Sequence, residues 1–179
     1  MKDIADLKYK NRSVLCDLDG VVVQYQFNKI VKNFFGVDLS PHAIFAYDLA
    51  DVLGVAPILI NTMFKDQVYG QPTFIDNSLD TLKEWHSKGY RVDIFSNRVK
   101  YMGMMGLVEW LWEYKIPFTT ISDGTGNYDF HIDDSPAKLA STNSDTKLLF
   151  KQPWNTRCLD INRKFTRVEN WTQIKEIIG

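Results

Sequence analysis

The chain has 179 residues, 45% of them hydrophobic and 24% charged, with a net charge of −1. That is enough for one domain with a proper core and room for a small insertion. The near-neutral charge excludes a general attraction to nucleic acid or anionic membrane. No apolar run approaches membrane-span length. The N-terminus, with Asp3 and Asp6, lacks a signal-peptide pattern, so a soluble, cytoplasmic protein is expected. The two cysteines, Cys16 and Cys158, read as buried free thiols in a reducing compartment. Arg157, Arg163, Lys164 and Arg167 read as a solvated basic surface.

The first element is the apolar run from Ser13, which breaks at Asp17-Leu18-Asp19-Gly20 and resumes through Val23. An apolar run before a polar break reads as a buried strand, with two carboxylates at its C-terminal tip. Gly20 admits a sharp turn and a close ligand. Paired carboxylates repel unless a cation or a shared proton compensates. A hard divalent ion such as Mg²⁺ suits them. A plain Asx turn is the competing reading. A calcium loop fits poorly, because Val22 and Asn28 stand where its Gly and Glu belong.

Phe27, Ile30, Val31, Phe34 and Phe35 recur at helical spacing and stop at Gly36. Ser40-Pro41 reads as a helix start, Gly54 as a turn, and Ala56-Pro57 to Tyr69 as another helix. Residues 24–73 are therefore expected to form a small helical cap inserted after the first strand, within a single domain of residues 1–179. Ser78 to Lys88 is a predicted helix closed by Gly89, Arg91 to Phe95 a strand ending at Ser96-Asn97-Arg98, and Lys100 to Tyr114 a helix weakened by Gly103 and Gly106. Phe118 to Ile121 reads as a strand, Ser122 to Asn127 as a loop, and Phe130 to Ile132 as a strand ending at Asp133-Asp134. A short helix from Pro136 to Ala140 and strands at Leu148–Phe150 and Phe165–Val168 follow, and Asn170 caps a closing helix. This alternation argues for an α/β fold, a Rossmann-like parallel sheet sandwiched by helices. Tryptophans and methionines read mainly as core packing.

Three predicted strands end in polar clusters, and a parallel sheet gathers such tips on one edge. Asp17, Asp19, Asp133 and Asp134 can hold Mg²⁺, Ser96 and nearby amides can donate to an anion, and Arg98 can add positive charge. Together they describe a phosphate and metal site with a carboxylate placed as nucleophile.

These motifs resemble the haloacid dehalogenase (HAD) superfamily of aspartate-nucleophile phosphatases: Asp17-Leu18-Asp19-Gly20 its first motif, Ser96-Asn97-Arg98 its second, His131-Ile132-Asp133-Asp134 its fourth. Phe74-Ile75-Asp76-Asn77-Ser78, Ile132-Asp133-Asp134-Ser135-Pro136, Phe150-Lys151-Gln152-Pro153-Trp154-Asn155 and Arg167-Val168-Glu169-Asn170-Trp171 are similar to its 5'(3')-deoxyribonucleotidase branch. The resemblance implies that Asp17 attacks phosphorus to give an aspartyl-phosphate and that Asp19 serves as acid, then base. It also implies that Asp17, the Asp19 carbonyl and Asp133 bind Mg²⁺, with Asp134 helping directly or through water, and that Ser96 and the Asn97 amide hold phosphate oxygens. One departure stands out. The family has a lysine before the last acidic strand, whereas Ser122 to Phe130 contains neither Lys nor Arg. Lys138 or Arg98 is expected to supply that charge. Tyr25, Phe27, Phe45 and Tyr47 are available to meet a base. The expected substrate is a nucleoside (deoxy)monophosphate or similar small phosphate ester. A nucleic-acid 3'-end phosphatase and a catalytically weak binding protein on the same fold are the alternatives.

Overall fold

In a computed structural model, residues 12–39, 49–64, 72–156 and 164–179 are described. A six-stranded parallel sheet has the order β5-β4-β1-β6-β7-β8, built from β1 (Ser13–Cys16), β4 (Arg91–Ile94), β5 (Thr120–Ile121), β6 (Asn127–Asp133), β7 (Asn143–Phe150) and β8 (Thr166–Val168). Helices α4 (Ser78–Ser87), α5 (Val99–Glu113), α6 (Pro136–Ser141) and α7 (Trp171–Ile178) complete this α/β body.

β1 sits between β4 and β6, and its Val14, Leu15 and Cys16 are fully buried. A strand covered on both faces needs a continuous apolar run, and that is what Ser13–Cys16 supplies. The main core joins Val14, Cys16, Val92, Ile94 and Ile132 to Trp85 of α4, Trp110 and Leu111 of α5, and Trp171 and Ile174 of α7. Burying each of those aliphatic side chains contributes about 1.5–3 kcal/mol.

A second, separate apolar cluster lies within residues 27–64. Helix α1 (Phe27–Phe35) ends at Gly36 in a left-handed cap (φ 71°), whose amide donates to the Lys32 carbonyl at 2.9 Å. Val31 of α1 packs with Leu49 and Ala50 of α2 (Leu49–Leu53) and with Ile60 and Met63 of α3 (Pro57–Met63). A two-stranded antiparallel ribbon pairs β2 (Val23–Gln24) with β3 (Thr73–Phe74). The Ser40-Pro41 start and the end of the helix expected to reach Tyr69 lie outside the described residues.

Three elements differ from expectation. β6 and β7 begin earlier, at Asn127 and Asn143, because paired backbone carries polar stretches that have no apolar alternation. Helix α5 is kinked at Gly103 (φ 73°, ψ 168°), a conformation open to glycine. Cys16 is buried and free, whereas Cys158 lies outside the described residues. Among the described residues, no helix is long and apolar enough to cross a membrane.

Candidate active site

Sheet register assembles the acidic centre. Cys16 pairs with Ile94 on one side and Ile132 on the other, so the next residues, Asp17, Phe95 and Asp133, leave their strands at one level. The Asp17 amide donates to the Ile132 carbonyl at 3.0 Å, and the Phe95 amide to the Cys16 carbonyl at 2.9 Å. Asp17, Asp133 and Asp134 are buried, and one carboxylate oxygen from each lies within 4.8 Å of the others. Among the described residues, Asp17 Oδ1 and Asp134 Oδ1 have no hydrogen-bond partner. Buried acceptors left open in this way are what a hard cation with oxygen ligands would satisfy, so the donor set fits such an ion. The Asp19 carboxylate stands outside this trio.

The loop Asp17–Val22 closes on itself through amides of Val22 and Val23 that donate to the Leu18 carbonyl at 2.9 and 3.0 Å. Gly20 is required at its tip. Its φ is +81°, and a Cβ there would lie 2.3 Å from Asp134 Oδ2 and 3.2 Å from the Trp154 ring.

Lys138 Nζ stands 3.0 Å from Asp17 Oδ2 and 3.6 Å from Asp133 Oδ2. It reaches them from α6, whose first turn is set by Pro136 and by Ser135 Oγ accepting the Lys138 amide. The connection Ser122–Gly126, where the related family carries its lysine, contains no helix. It is folded by Ser122 Oγ accepting the Gly124 amide, and Gly124 packs so closely on Phe95 that a Cβ would lie 2.9 Å from the ring. Lys138 Nζ lies 5.2 Å from the centroid of that same ring.

Arg98 is fully buried and grips Asp19. Nε lies 3.1 Å from both carboxylate oxygens and Nη2 2.8 Å from Oδ1, with the guanidinium 3.8 Å over the Trp110 ring. Tyr25, just after β2, donates its hydroxyl to Asp19 Oδ1 and accepts from Arg98 Nη2. Ser96 Oγ is 3.3 Å from the Arg98 amide, and Asn97 faces the cavity.

Burial pushes the Asp17 carboxyl up to about 7, against the opposing charge of Lys138. Burial likewise lifts Asp133 to about 6, and Asp134 is raised well above the usual carboxylate range by burial and by its acidic neighbours. Burial works on Asp19 in the same direction, but the charge and hydrogen bonds of Arg98 outweigh it and hold Asp19 below the usual range. Beneath them, buried His131 is pushed down to about 4 by desolvation and bonds Thr142 Oγ1 through Nδ1 at 2.7 Å.

A cavity of about 370 Å³ opens above the carboxylates. Asp17, Asp19, Asp134 and Lys138 form its polar end; Phe27, Phe64 and Trp154 are among its apolar walls. Phe27 meets Phe64 and Trp154 edge to face at 6.0 and 5.8 Å. Tyr25 and Phe27 are thus at the cavity, whereas Phe45 and Tyr47 lie outside the described residues. Sequence reading missed the support given by a short 3-10 turn, Pro153–Asn155. Trp154 Nε1 donates to Asp134 Oδ2 at 3.0 Å, Asn155 Nδ2 to the Asp134 carbonyl at 2.9 Å, and Gln152 Nε2 to the Gly20 carbonyl at 2.6 Å. The only signal for them was the likeness of Gln152-Pro153-Trp154-Asn155 to a branch of the HAD superfamily.

The family model for 5' nucleotidase, deoxy (pyrimidine), cytosolic type C protein matches residues 11–179. No curated protein matches the chain significantly. Among solved structures, a candidate phosphatase from Clostridium difficile is similar at 17% identity and a TM-score of 0.59, covering 95% of this chain and 100% of its own. A candidate haloacid dehalogenase-like hydrolase from Bacteroides fragilis is similar at 11% identity and 0.60, covering 92% and 100%. A HAD-superfamily hydrolase from Ehrlichia chaffeensis is similar at 11% and 0.54, covering 93% and 95%. The structural likenesses agree with the parallel sheet, and the family match spans nearly every element that builds the acidic centre. The chain belongs to the 5' nucleotidase, deoxy (pyrimidine), cytosolic type C family, nucleotidase-like phosphoric monoester hydrolases of the HAD superfamily.

Proposed function

We propose that this protein hydrolyses a nucleoside (deoxy)monophosphate through an aspartyl-phosphate on Asp17, with Mg²⁺ as its cation. The observation that carries the reading is the trio of buried carboxylates with open oxygens, next to Lys138 and under an aromatic-walled cavity. Asp17, Asp133 and Asp134, with the Asp19 carbonyl, would hold the ion. When bound, it neutralises the repulsion between an anionic nucleophile and an anionic phosphate.

The chain's own groups divide the remaining work. Asp17 is the nucleophile: a carboxylate oxygen bonds to phosphorus as the ester P–O bond breaks. Lys138 faces Asp17 and is placed to share its charge with the phosphate oxygens, together with Ser96 and Asn97. Arg98 instead orients Asp19. An ionised Asp19 suits the second step, in which it takes a proton from the water that bonds to phosphorus as the bond to Asp17 breaks, freeing phosphate and the Asp17 carboxylate. For the first step it must carry a proton to the leaving oxygen, and the arriving phosphate dianion raises its proton affinity. The aromatic walls suit a flat organic group. The cap, residues 24–73, would form the roof over it. A cytosolic location accords with the family's designation and with a buried free thiol at Cys16.

The test is a panel of ribo- and deoxyribonucleoside 3'- and 5'-monophosphates against sugar phosphates, with and without Mg²⁺, repeated with Asp17→Asn. Nucleotide turnover that needs both Mg²⁺ and Asp17 is expected. A preference for sugar phosphates would remove the nucleotide assignment, and turnover surviving Asp17→Asn would remove the mechanism.

A further inference from the structure

Trp154 touches both the polar and the apolar side of the cavity. Its indole N–H donates to Asp134 Oδ2 at 3.0 Å, while Asp134 Oδ1 is buried with no partner among the described residues. Its ring stands edge to face against Phe27 of α1 at 5.8 Å and forms part of the cavity wall. It is tightly set. A Cβ on Gly20 would come within 3.2 Å of the ring, so the loop carrying Asp17 and Asp19 packs directly on it. The turn that carries Trp154 is itself pinned, because Asn155 is buried and bonds the Asp134 and Phe150 carbonyls at 2.9 and 2.8 Å. Arg167 Nη1 then holds Asn155 Oδ1 at 2.9 Å.

We propose that Trp154 is a positioning residue with two separable tasks: its N–H aims the free oxygen of Asp134 at the cation, and its ring holds the organic part of the substrate. The inference rests on the metal-dependent phosphatase reading above. A carboxylate tied at one oxygen loses rotational freedom and presents the other in a fixed direction, which is how partners of metal ligands raise affinity. Without the tie, Asp134 can turn, and the cation loses a preset ligand. The ring acts through contact area and does not depend on the N–H. The two tasks should therefore come apart in variants that keep one group and remove the other.

Mn²⁺ binding to the full chain, followed by electron paramagnetic resonance of the free ion, reads the first task without turnover. KM for a deoxyribonucleoside monophosphate at saturating Mg²⁺ reads the second. Trp154→Phe keeps the wall and loses the donor, so Mn²⁺ affinity is expected to fall about tenfold or more, with KM nearly unchanged. Trp154→His keeps a ring N–H and loses most of the wall, so the reverse pattern is expected; it also serves if the phenylalanine variant does not fold. In an Asp134→Asn background, Trp154→Phe is expected to remove little further affinity, because both changes act on one contact. Mn²⁺ affinity within about twofold of wild type in Trp154→Phe overturns the proposal. So does a joint change of both readouts in both variants, the mark of a merely structural role. Wild-type protein that binds no Mn²⁺ overturns the metal-dependent reading itself, a separate outcome.

Discussion

Replacing Asp17 by Asn should stabilise the metal-free protein at pH 8 while abolishing turnover. Burial, Asp133 and Asp19 together raise the Asp17 carboxyl from 3.8 to about 7 despite Lys138. Its folded value is thus above its unfolded one. The native state binds the extra proton between those values, so stability falls as pH rises from about 4 to 7 and is level above. About three pH units at 1.36 kcal/mol each is about 4 kcal/mol of native-state penalty for ionised Asp17 at pH 8. Asn removes the charge at nearly the same shape, but it also removes a partner of Lys138 Nζ, which still has Asp133 at 3.6 Å. A net gain of about 2–4 kcal/mol is therefore expected, or roughly 5–15 °C in melting temperature for a chain of this size. The assay is thermal unfolding of both proteins in EDTA at pH 5 and pH 8. At pH 5 wild-type Asp17 is already protonated, and the difference should nearly vanish. His131, pushed down to about 4, works oppositely: its stabilising neutral form is lost as pH falls from 6.5 toward 4. The Asp17 charge opposes that shift, but at pH 5 wild-type Asp17 is protonated and at pH 8 His131 is neutral in both states, so it contributes alike to the two proteins. A difference between variant and wild type that is the same at both pH values would refute the reasoning.

Lys138→Ala should lower kcat by about 10²–10³-fold, and it should destabilise metal-free protein more at pH 8 than at pH 5 relative to wild type, since ionised Asp17 loses its nearest cation. Steady-state rates and melts at the two pH values check both parts, and near-normal turnover would exclude Lys138 from the phosphate site. Arg98→Met removes the buried guanidinium that holds Asp19 and should destabilise the fold by about 3–5 kcal/mol, read by denaturant titration. Gly20→Ala forces a Cβ into Asp134 Oδ2 at a left-handed position. A loss of about 1–3 kcal/mol is expected, together with a higher Mg²⁺ requirement for half-maximal rate.

The elements that carry chemistry were largely legible because their signals are local. A run of Val, Leu and Cys ending in Asp17-Leu18-Asp19-Gly20 reads as a buried strand with an acidic tip from sequence alone, and Gly36 marks the end of α1 by its own backbone conformation. Burial on both faces and positive φ leave marks within a few residues. The polar half of β7 left none, because Asn143 to Lys147 is made a strand by pairing with Asn127 to His131.

Composition and spacing alone determined an α/β chain whose strand tips carry Asp17, Asp19, Asp133 and Asp134. Only the tertiary structure decided who meets whom: that Lys138 faces Asp17, that Arg98 and Tyr25 claim Asp19, and that Trp154 ties Asp134 to the cavity wall. Those contacts join residues up to 121 positions apart, from Asp17 to Lys138. Strand register and helix docking set such distances, and no pattern within one segment encodes them.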